Sequence, residues 1–259
     1  MRTVCRRPYT SFHIRGDYMI KTVMFDLDGT LAHFEFEEFF RAYIEKIVES
    51  LSDVVEPKAF MQALMASVEA MVSCDDPEMT NRDVFVADFF PRIERQESEL
   101  MPLFDAFYLD RDGFPSIKQR LGVAAHPSAR AMLEGLMDRG YEVVIATNPV
   151  FPLEAIEERM RWAGVHGLPY ALVTSYETSH FCKPNVKYYE EIMSRLGKSP
   201  EECLMVGNDT WEDLIAGDLG ITTYLVEDFI LDRDPIRRDP DYRGSFDELV
   251  GFLLEEKFL

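Results

Sequence analysis

Two carboxylates separated by a single residue, Asp26 and Asp28, follow a short apolar run, Thr22–Phe25, in the segment DLDGT. The apolar run predicts a buried strand, and the glycine in the segment predicts a tight loop at its end. Two carboxylates at this spacing can work on one bound molecule. Asp26 is then a candidate nucleophile, and Asp28 a candidate general acid and then base.

Other polar side chains follow predicted strands farther along the chain or precede a predicted helix. They are Thr147 and Asn148, Lys183, and the pair Asp209 and Asp213. Because the carboxyl ends of parallel strands meet at one edge of a sheet, where ligands of such folds bind, we expect these side chains to lie together. The sequence therefore predicts carboxylates, a hydroxyl, an amide and an ammonium at one site.

This set of residue types indicates chemistry on a phosphate ester. Crowded carboxylates repel one another and need a cation between them. Mg²⁺ prefers oxygen ligands from one or two carboxylates together with water and phosphate, and it would keep Asp26 ionised at neutral pH. Lys183 would supply positive charge for phosphoryl oxygens, and Thr147 and Asn148 would donate hydrogen bonds to them.

The elements that must position these residues are predicted from hydrophobic periodicity. From residue 34 to residue 119, apolar residues recur at helical spacing and no strand pattern is evident. We predict one helix over residues 36–51, a second over residues 57–71, and helical pieces over residues 81–107 with a break near Pro91. Pro57 suits the first turn of the second helix.

From residue 127 onward, predicted helices and strands alternate. The predicted strands cover residues 141–147, 170–174, 203–206 and 221–226, and the predicted helices cover residues 127–139, 152–163, 184–196 and 211–216. Alternation of this kind predicts an α/β fold with a parallel, Rossmann-like sheet flanked by helices. We expect a core domain of residues 19–33 and 120–259, with an all-helical cap domain of residues 34–119 inserted after the first strand. The charged stretch 227–243 is predicted to be a surface loop without a catalytic role.

In these motifs the chain closely resembles the haloacid dehalogenase (HAD) superfamily. DLDGT is similar to its first motif, Thr147-Asn148 to its second, Lys183-Pro184 to its third, and the segment GNDTWED at residues 207–213 to its fourth. All four occur in order, each at a strand end or a helix start. The resemblance runs from about Met19 to the C-terminus and is to phosphoglycolate phosphatase-like members with a helical C1-type cap, although the cap matches only in being helical.

The resemblance implies roles for the carboxylates. Asp26 would attack phosphorus and form an aspartyl-phosphate. Asp28 would protonate the leaving alcohol and then deprotonate the water that hydrolyses the intermediate. Asp26, the backbone carbonyl of Asp28, and Asp209 would hold Mg²⁺.

The resemblance also implies roles for the groups around these carboxylates. Thr147, Asn148 and Lys183 would bind the phosphoryl group, and Lys183 would also steady Asp26. Asp213 and Thr30 would support the site from behind. One departure from the family pattern is Asn208, which separates the glycine of the fourth motif from its aspartate.

The expected activity is Mg²⁺-dependent hydrolysis of a small-molecule phosphate monoester. A phosphomutase shares the first half-reaction and stays open, and a non-catalytic binding or regulatory protein of the same fold is disfavoured because both Asp26 and Asp28 are retained. A dehalogenase is disfavoured because a halide leaving group needs no proton, and the family's dehalogenases lack the second carboxylate. Arg82, Arg92 and Arg95 in the cap could meet a second anionic group, but arginines like these more often face solvent, and we predict no role for them.

Length, charge and cysteine content limit the possible partners and compartment. The 259 residues carry 27 Lys and Arg against 47 Asp and Glu, a formal charge of −20, which argues against nucleic acid and anionic membranes as partners. The 4 cysteines form no metal or disulfide pattern, so a cytoplasmic location is expected. Residues 1–18 are predicted to be a poorly ordered extension, with Met19 as an alternative native start. The oligomeric state stays open.

Overall fold

The computed structural model describes residues 19–233 and 238–254. The predicted N-terminal extension, residues 1–18, lies outside the described residues. Strands and helices alternate through the second half of the chain, as the sequence predicts. The first strand is separated from this alternating part by helices alone.

The core is a six-stranded parallel sheet with the strand order β3-β2-β1-β4-β5-β6. The strands are β1 (Thr22–Phe25), β2 (Glu142–Ile145), β3 (Leu172–Val173), β4 (Cys203–Gly207), β5 (Thr222–Val226) and β6 (Tyr242–Gly244). β1 lies between β2 and β4, with Phe25 opposite Ile145 and Val206. The carboxyl ends of the three central strands therefore meet at one edge.

Both faces of the central strands are buried, which explains their unbroken apolar sequences. Val23 and Phe25 point to one face and Met24 to the other, as alternation along a strand requires. The first face packs against the helices α6 (Ala129–Asp138), α7 (Leu153–Trp162) and α9 (Phe246–Leu254). The opposite face packs against α8 (Val186–Leu196) and a 3₁₀ helix, Leu214–Leu219.

The cap is helical throughout its described length. Its helices are α1 (Phe36–Leu51), α2 (Pro57–Ser73), α3 (Asn81–Arg92), α4 (Glu97–Leu109) and α5 (Ile117–Leu121). α3 ends one residue after Pro91, as predicted, and the expected domain boundary at residue 119 falls inside α5. Phe114 of the cap stacks on Trp162 of α7, with ring centroids 5.4 Å apart, and so joins the cap to the core. Within residues 19–233 and 238–254, no helix combines the length and apolarity needed to cross a bilayer.

Two sequence predictions for the second half of the chain are wrong. The helix predicted at residues 211–216 is absent, and the 3₁₀ helix Leu214–Leu219 begins later instead. Oδ1 of Asp209 accepts the N–H groups of Trp211 and Glu212, which gives the backbone an alternative to helical hydrogen bonds. The stretch 227–243 is not simply a surface loop, because Leu231 bridges to Asp209 and β6 begins at Tyr242.

Candidate active site

The first strand delivers the carboxylate on which the site is built. Asp26 follows β1 directly, and its backbone N–H donates to the carbonyl of Val206 in β4 at 2.9 Å. Nζ of Lys183 donates to Oδ1 of Asp26 at 2.9 Å and to Oδ1 of Asp213 at 2.6 Å. All three side chains are buried. The ammonium of Lys183 therefore links two of the sequence-predicted carboxylates, across 157 and 30 residues of chain.

Burial and mutual repulsion shift the pKa values of this group. Burial raises the pKa of Asp26 to about 6, against the charge of Lys183 and with a contribution from Asp28. Burial likewise raises the pKa of Asp213 to about 7, again opposed by Lys183. Burial disfavours the charge of Lys183, but Asp213 and Asp26 outweigh it and hold the pKa of Lys183 well above its usual value. Lys183 therefore stays cationic, and its single positive charge is not enough to neutralise the carboxylates around it.

The second carboxylate is held by an arginine that the sequence analysis missed. Oδ2 of Asp28 accepts a hydrogen bond from Nη1 of Arg159, a fully buried residue of α7. The guanidinium of Arg159 also lies 4.5 Å from the ring centroid of Phe151 and 5.4 Å from that of Phe39. Oδ1 of Asp28 is buried without a hydrogen-bond partner among the described residues. Asp28 thus has one oxygen anchored by Arg159 and one buried oxygen without a partner among the described residues.

Thr147 and Asn148 follow β2 and line the same cavity. The backbone carbonyl of Thr147 accepts hydrogen bonds from Oγ1 of Thr174 at 2.8 Å and from the hydroxyl of Tyr188 at 2.9 Å. The side-chain amide of Asn148 donates to the carbonyl of Lys183 at 3.3 Å and to Oε2 of Glu212 at 3.0 Å. To donate to a phosphoryl group as predicted, Asn148 would have to exchange one of these partners.

The segment after β4 closes on itself through its aspartates. Oδ2 of Asp213 accepts the backbone N–H of Asp209 at 3.0 Å. A Cβ atom at Gly207 would lie 2.0 Å from this Oδ2, so only glycine leaves room for the Asp213 carboxylate. Asp213 can therefore contact Lys183 and the Asp209 backbone together.

Asn208, the departure from the family pattern, connects this segment to the first loop. Oγ1 of Thr30 donates to Oδ1 of Asn208 at 3.2 Å, and Nδ2 of Asn208 donates to the carbonyl of Phe229 at 2.6 Å. Gly29 lies against the Asn208 amide with a positive φ of 79°, a conformation that favours glycine. Thr30 thus supports the loop behind the two catalytic candidates.

Asp209 meets a second arginine that the sequence analysis missed. Oδ2 of Asp209 accepts hydrogen bonds from Nε of Arg233 at 2.9 Å and lies 2.8 Å from its Nη2. Arg233 belongs to the charged stretch to which we assigned no role. Neither Arg233 nor Arg159 stands in a motif, and their pairing depends on contacts across 24 and 131 residues that spacing alone does not reveal.

These residues border a single cavity of about 240 Å³ between the sheet edge and the cap. Its floor contains every predicted catalytic carboxylate together with Asp213. The floor residues of the sequence prediction are Asp26, Asp28, Thr147, Asn148, Asp209 and Asp213. Lys183 lies behind this floor, bound to Asp26.

The donor set on the floor fits Mg²⁺. The carboxylates of Asp26, Asp28, Asp209, Glu212 and Asp213 outnumber the cations of Lys183, Arg159 and Arg233, and they offer only oxygen, which Mg²⁺ prefers. Burial and the charge of Asp209 raise the pKa of Glu212 to about 7, a further sign of excess negative charge. Among the described residues, no three Asp, Glu, His or Cys side chains yet surround one point as a metal cluster. Mg²⁺ binding at Asp209 would therefore compete with Arg233.

Comparison of the sequence with known proteins shows the family to which the chain belongs. A family model for haloacid dehalogenase-like hydrolases matches residues 20–218. The chain belongs to this family. Its curated relatives include phosphatases. One is a glyceraldehyde 3-phosphate phosphatase of Methanothermobacter thermautotrophicus, 34% identical over 101 residues, a match that covers 39% of this chain and 43% of that relative.

A longer match is to the pyrophosphatase PpaX of Halalkalibacterium halodurans, 26% identical over 226 residues. It covers 86% of this chain and 91% of the relative, whereas the chain spans less than half the length of the first relative. Both names describe hydrolysis of a phosphate compound. The chain therefore belongs to a hydrolase family, and both of these relatives are named for acting on phosphate compounds.

Solved structures share the fold of this haloacid dehalogenase-like hydrolase. A HAD phosphatase from Thermococcus onnurineus superposes with a TM-score of 0.54 at 20% identity, covering 90% of this chain and 98% of that one. The L-2-haloacid dehalogenase RSc1362 superposes with a TM-score of 0.56 at 18% identity, covering 92% and 100%. Phosphatases and dehalogenases both use this fold, so the reaction must be inferred from the site.

Proposed function

We propose that the protein is a Mg²⁺-dependent phosphatase that hydrolyses a small-molecule phosphate monoester through an aspartyl-phosphate on Asp26. The observation that carries the proposal is the buried contact of Asp26 with Lys183, 2.9 Å, at the floor of a cavity that also contains Asp28. A cation beside the nucleophile keeps it ionised. A second carboxylate two residues away supplies the proton transfers.

The chemistry balances in two steps. In the first, a carboxylate oxygen of Asp26 forms a bond to phosphorus, the bond between phosphorus and the ester oxygen breaks, and Asp28 gives its proton to the departing alkoxide. In the second, Asp28 takes a proton from water as the water oxygen attacks phosphorus. The bond to Asp26 breaks, phosphate leaves, and both carboxyl groups return to their starting states.

The contacts of Asp28 support its role as acid and base. Arg159 anchors Oδ2, Oδ1 is left without a partner among the described residues, and Asp28 lines the same cavity as Asp26. Burial raises the pKa of Asp28, against the opposing charges of Arg159 and Lys183. A raised pKa favours the protonated form that the first step needs.

Lys183 has two tasks in this proposal. It neutralises Asp26 and Asp213, and together with Thr147 and Asn148 it would meet the oxygens of the bound phosphoryl group. Asp26, the carbonyl of Asp28, and Asp209 would hold Mg²⁺. When bound, the metal would supply charge neutralisation for the phosphoryl group.

Other reactions of this fold are less well supported. A phosphomutase would keep the first step and return the phosphoryl group to the substrate, which the product distinguishes. A haloacid dehalogenase needs no proton donor, whereas here Asp28 is anchored by Arg159 at the lining of the cavity and has one oxygen without a partner among the described residues. A non-catalytic protein would not need the contacts of both aspartates.

The names of the relatives supply the first compounds to try. Inorganic pyrophosphate and glyceraldehyde 3-phosphate enter the substrate screen on that ground. A free small molecule is the proposed partner rather than nucleic acid, because of the charge of −20. The cytoplasm is the proposed compartment.

The experiment is a phosphate-release screen over small phosphoesters with and without Mg²⁺, on the wild-type protein and Asp26→Asn. We expect Mg²⁺-dependent release that falls by roughly 10⁴-fold in Asp26→Asn, because the amide is a poor nucleophile. Rapid quenching and mass spectrometry should find the phosphoryl group on Asp26.

Asp138→Asn is the matched control, since Asp138 is an exposed aspartate at the end of α6. It should keep wild-type rates. Phosphate release that persists in Asp26→Asn would contradict the covalent mechanism. Chloride release from a 2-haloacid, with no activity on any phosphoester, would show that the protein is a dehalogenase and not a phosphatase.

A further inference from the structure

The cavity above Asp26 has a polar floor and an apolar roof. The roof, which we call the cap wall, consists of cavity-lining side chains from α1, α2 and α4. Its apolar members include Phe40, Ile44, Leu64, Met65, Val68 and Phe104. A molecule with its phosphoryl group on Asp26 would place the rest of its atoms against this wall.

The cap wall offers few polar groups to an anionic or polyhydroxylated ligand. The hydroxyls of Tyr43 and Tyr108 bond to each other at 3.0 Å in a buried pair. Asp105 is the one charged cap residue at the cavity, and every cap residue is among those described. Its negative charge would repel a second anionic group.

The cap arginines that could have met a second anionic group are engaged elsewhere. Arg82 binds Glu97 at 2.5 Å, Arg92 binds Asp88 at 2.5 Å, and Arg95 donates to the carbonyl of Val54 at 3.1 Å. None of the three lines the cavity. The cap therefore brings no cation to a bound substrate, and Arg233, which lines the cavity from the core, is paired with Asp209 on the floor.

We propose that the natural substrate class is the phosphate monoester of an apolar alcohol, with its hydrocarbon part packed against the cap wall. This rests on the proposed phosphatase function and narrows it. Burying hydrocarbon here removes apolar surface from water on both sides of the contact. Carboxylate, phosphate or hydroxyl groups at the same place would lose hydration and gain few partners in return.

The test is a series of n-alkyl phosphates from ethyl to octyl, assayed with Mg²⁺ beside pyrophosphate and glyceraldehyde 3-phosphate. We expect kcat/KM to rise by about fourfold for each methylene that reaches the wall. The two polar compounds should be among the poorest substrates. A flat or falling dependence on chain length, with faster turnover of the polar compounds, would overturn the inference.

Two methionines of α2 provide a matched pair of variants. Met65 and Met61 are exposed to similar extents, 43% and 41%, but only Met65 lines the cavity. Met65→Lys should flatten the dependence of kcat/KM on chain length, whereas Met61→Lys should leave it unchanged. Equal effects of both substitutions would contradict contact with the cap wall.

Binding of n-alkylphosphonates, measured by calorimetry with Mg²⁺, separates this inference from the proposed function. Affinity that grows with chain length, without hydrolysis of any ester, would support the apolar site and reject the phosphatase. Hydrolysis of short polar esters, without growth of affinity along the series, would support the phosphatase and reject the apolar site.

Discussion

At the level of single residues, the Asp28 side chain is divided between two environments. Oδ2 is bound by the buried Arg159, and Oδ1 lacks a partner among residues 19–233 and 238–254. A group that gives and then takes a proton needs a fixed position together with an oxygen that no other protein group occupies. Asp26 differs from Asp28, because its partner Lys183 neutralises the negative charge of the Asp26 carboxylate itself.

The substitution Asp28→Asn should separate the two proton transfers. An alkyl phosphate needs its leaving group protonated, so turnover should fall by about 10²–10⁴-fold. p-Nitrophenyl phosphate has a leaving group that departs without a proton. With it, Asp28→Asn should still form the aspartyl-phosphate and then stall, because no base activates water. Stopped-flow absorbance should show a burst of nitrophenolate close to the enzyme concentration, and equal losses on both substrates without a burst would contradict this role.

Arg159 should act on the reaction through the pKa of Asp28. Burial raises that pKa and Arg159 opposes the rise, so Arg159→Met should raise the pKa of Asp28 further. Asp28 must be ionised to activate water, and the acidic limb of the kcat profile should therefore move to higher pH. Arg159→Lys keeps the charge and should move it less.

The pH profiles must be measured on folded variants, because an unpaired buried carboxylate also costs stability. Circular dichroism and a thermal melt of each variant provide that control. An acidic limb that stays at the wild-type position in a folded Arg159→Met protein would show that Arg159 only packs against its aromatic neighbours.

At the level of elements, the site depends on the alignment of β1 with β4. Nζ of Lys21, which precedes β1, donates to Oε1 of Glu202 at 2.5 Å, and the backbone N–H of Lys21 donates to the Glu202 carbonyl at 2.8 Å. Oε2 of Glu202 also accepts the backbone N–H of Ser199 at 3.0 Å. This one carboxylate thus connects the starts of the two strands whose opposite ends carry Asp26 and Asp209.

Glu202 should stabilise the fold in a pH-dependent way. The hydrogen bond from Lys21, followed by that from the Ser199 backbone, lowers the pKa of Glu202 to about 2 from its usual 4.5. A lowered pKa contributes stability above pH 4.5 that is lost as the pH falls to about 2. The difference in Tm between wild type and Glu202→Gln should therefore be largest at neutral pH and shrink across this window.

Glu201→Gln is the control for this experiment, since it removes a charge from the adjacent exposed residue. If the Tm difference between wild type and Glu202→Gln were the same at pH 7 and pH 2.5, the ion pair with Lys21 would not contribute.

The sequence predicts the strands and the cap helices well because their signals are local. Apolar runs such as Thr22–Phe25 and helical periodicity such as that of Phe36–Leu51 are visible within a single element. The 3₁₀ helix Leu214–Leu219 was not predicted, because Asp209 takes the N–H groups that a helix would use. β6 was not predicted, because its three residues gain their structure from pairing with β5.

The candidate site shows the same division between local and distant information. The four motifs place Asp26, Thr147, Lys183 and Asp209 at strand ends or a helix start, where topology brings them together. The partners of Asp28 and Asp209 could not be predicted, because an arginine in a helix or a charged stretch usually faces solvent. Only the folded chain shows that Arg159 is buried and that Arg233 reaches Asp209.

At the level of the whole molecule, two charge distributions oppose the binding of a phosphate dianion. The chain carries a formal charge of −20, and the cavity floor holds more carboxylates than cations. Long-range repulsion is screened beyond about 10 Å at 0.1 M salt. The charges on the cavity floor therefore determine whether a phosphate dianion binds. An added divalent cation would relieve the repulsion there.

Mg²⁺ should consequently stabilise the folded protein in the absence of any substrate. At a concentration of about 100 Kd, the gain is about 2.7 kcal/mol, which for a domain of this size raises Tm by roughly 5–10 °C. Burial raises the pKa of Asp26 to about 6, so protons compete with the metal below that pH, and the Tm shift should be larger at pH 8 than at pH 5.

Asp209→Asn should abolish most of the shift by removing a ligand that the metal shares with Arg233. Glu134→Gln, a substitution of an exposed glutamate on α6, should leave the shift intact. A Tm that does not respond to Mg²⁺ at either pH, or that responds equally in Asp209→Asn, would show that the floor carboxylates balance their charge with Lys183, Arg159 and Arg233 alone.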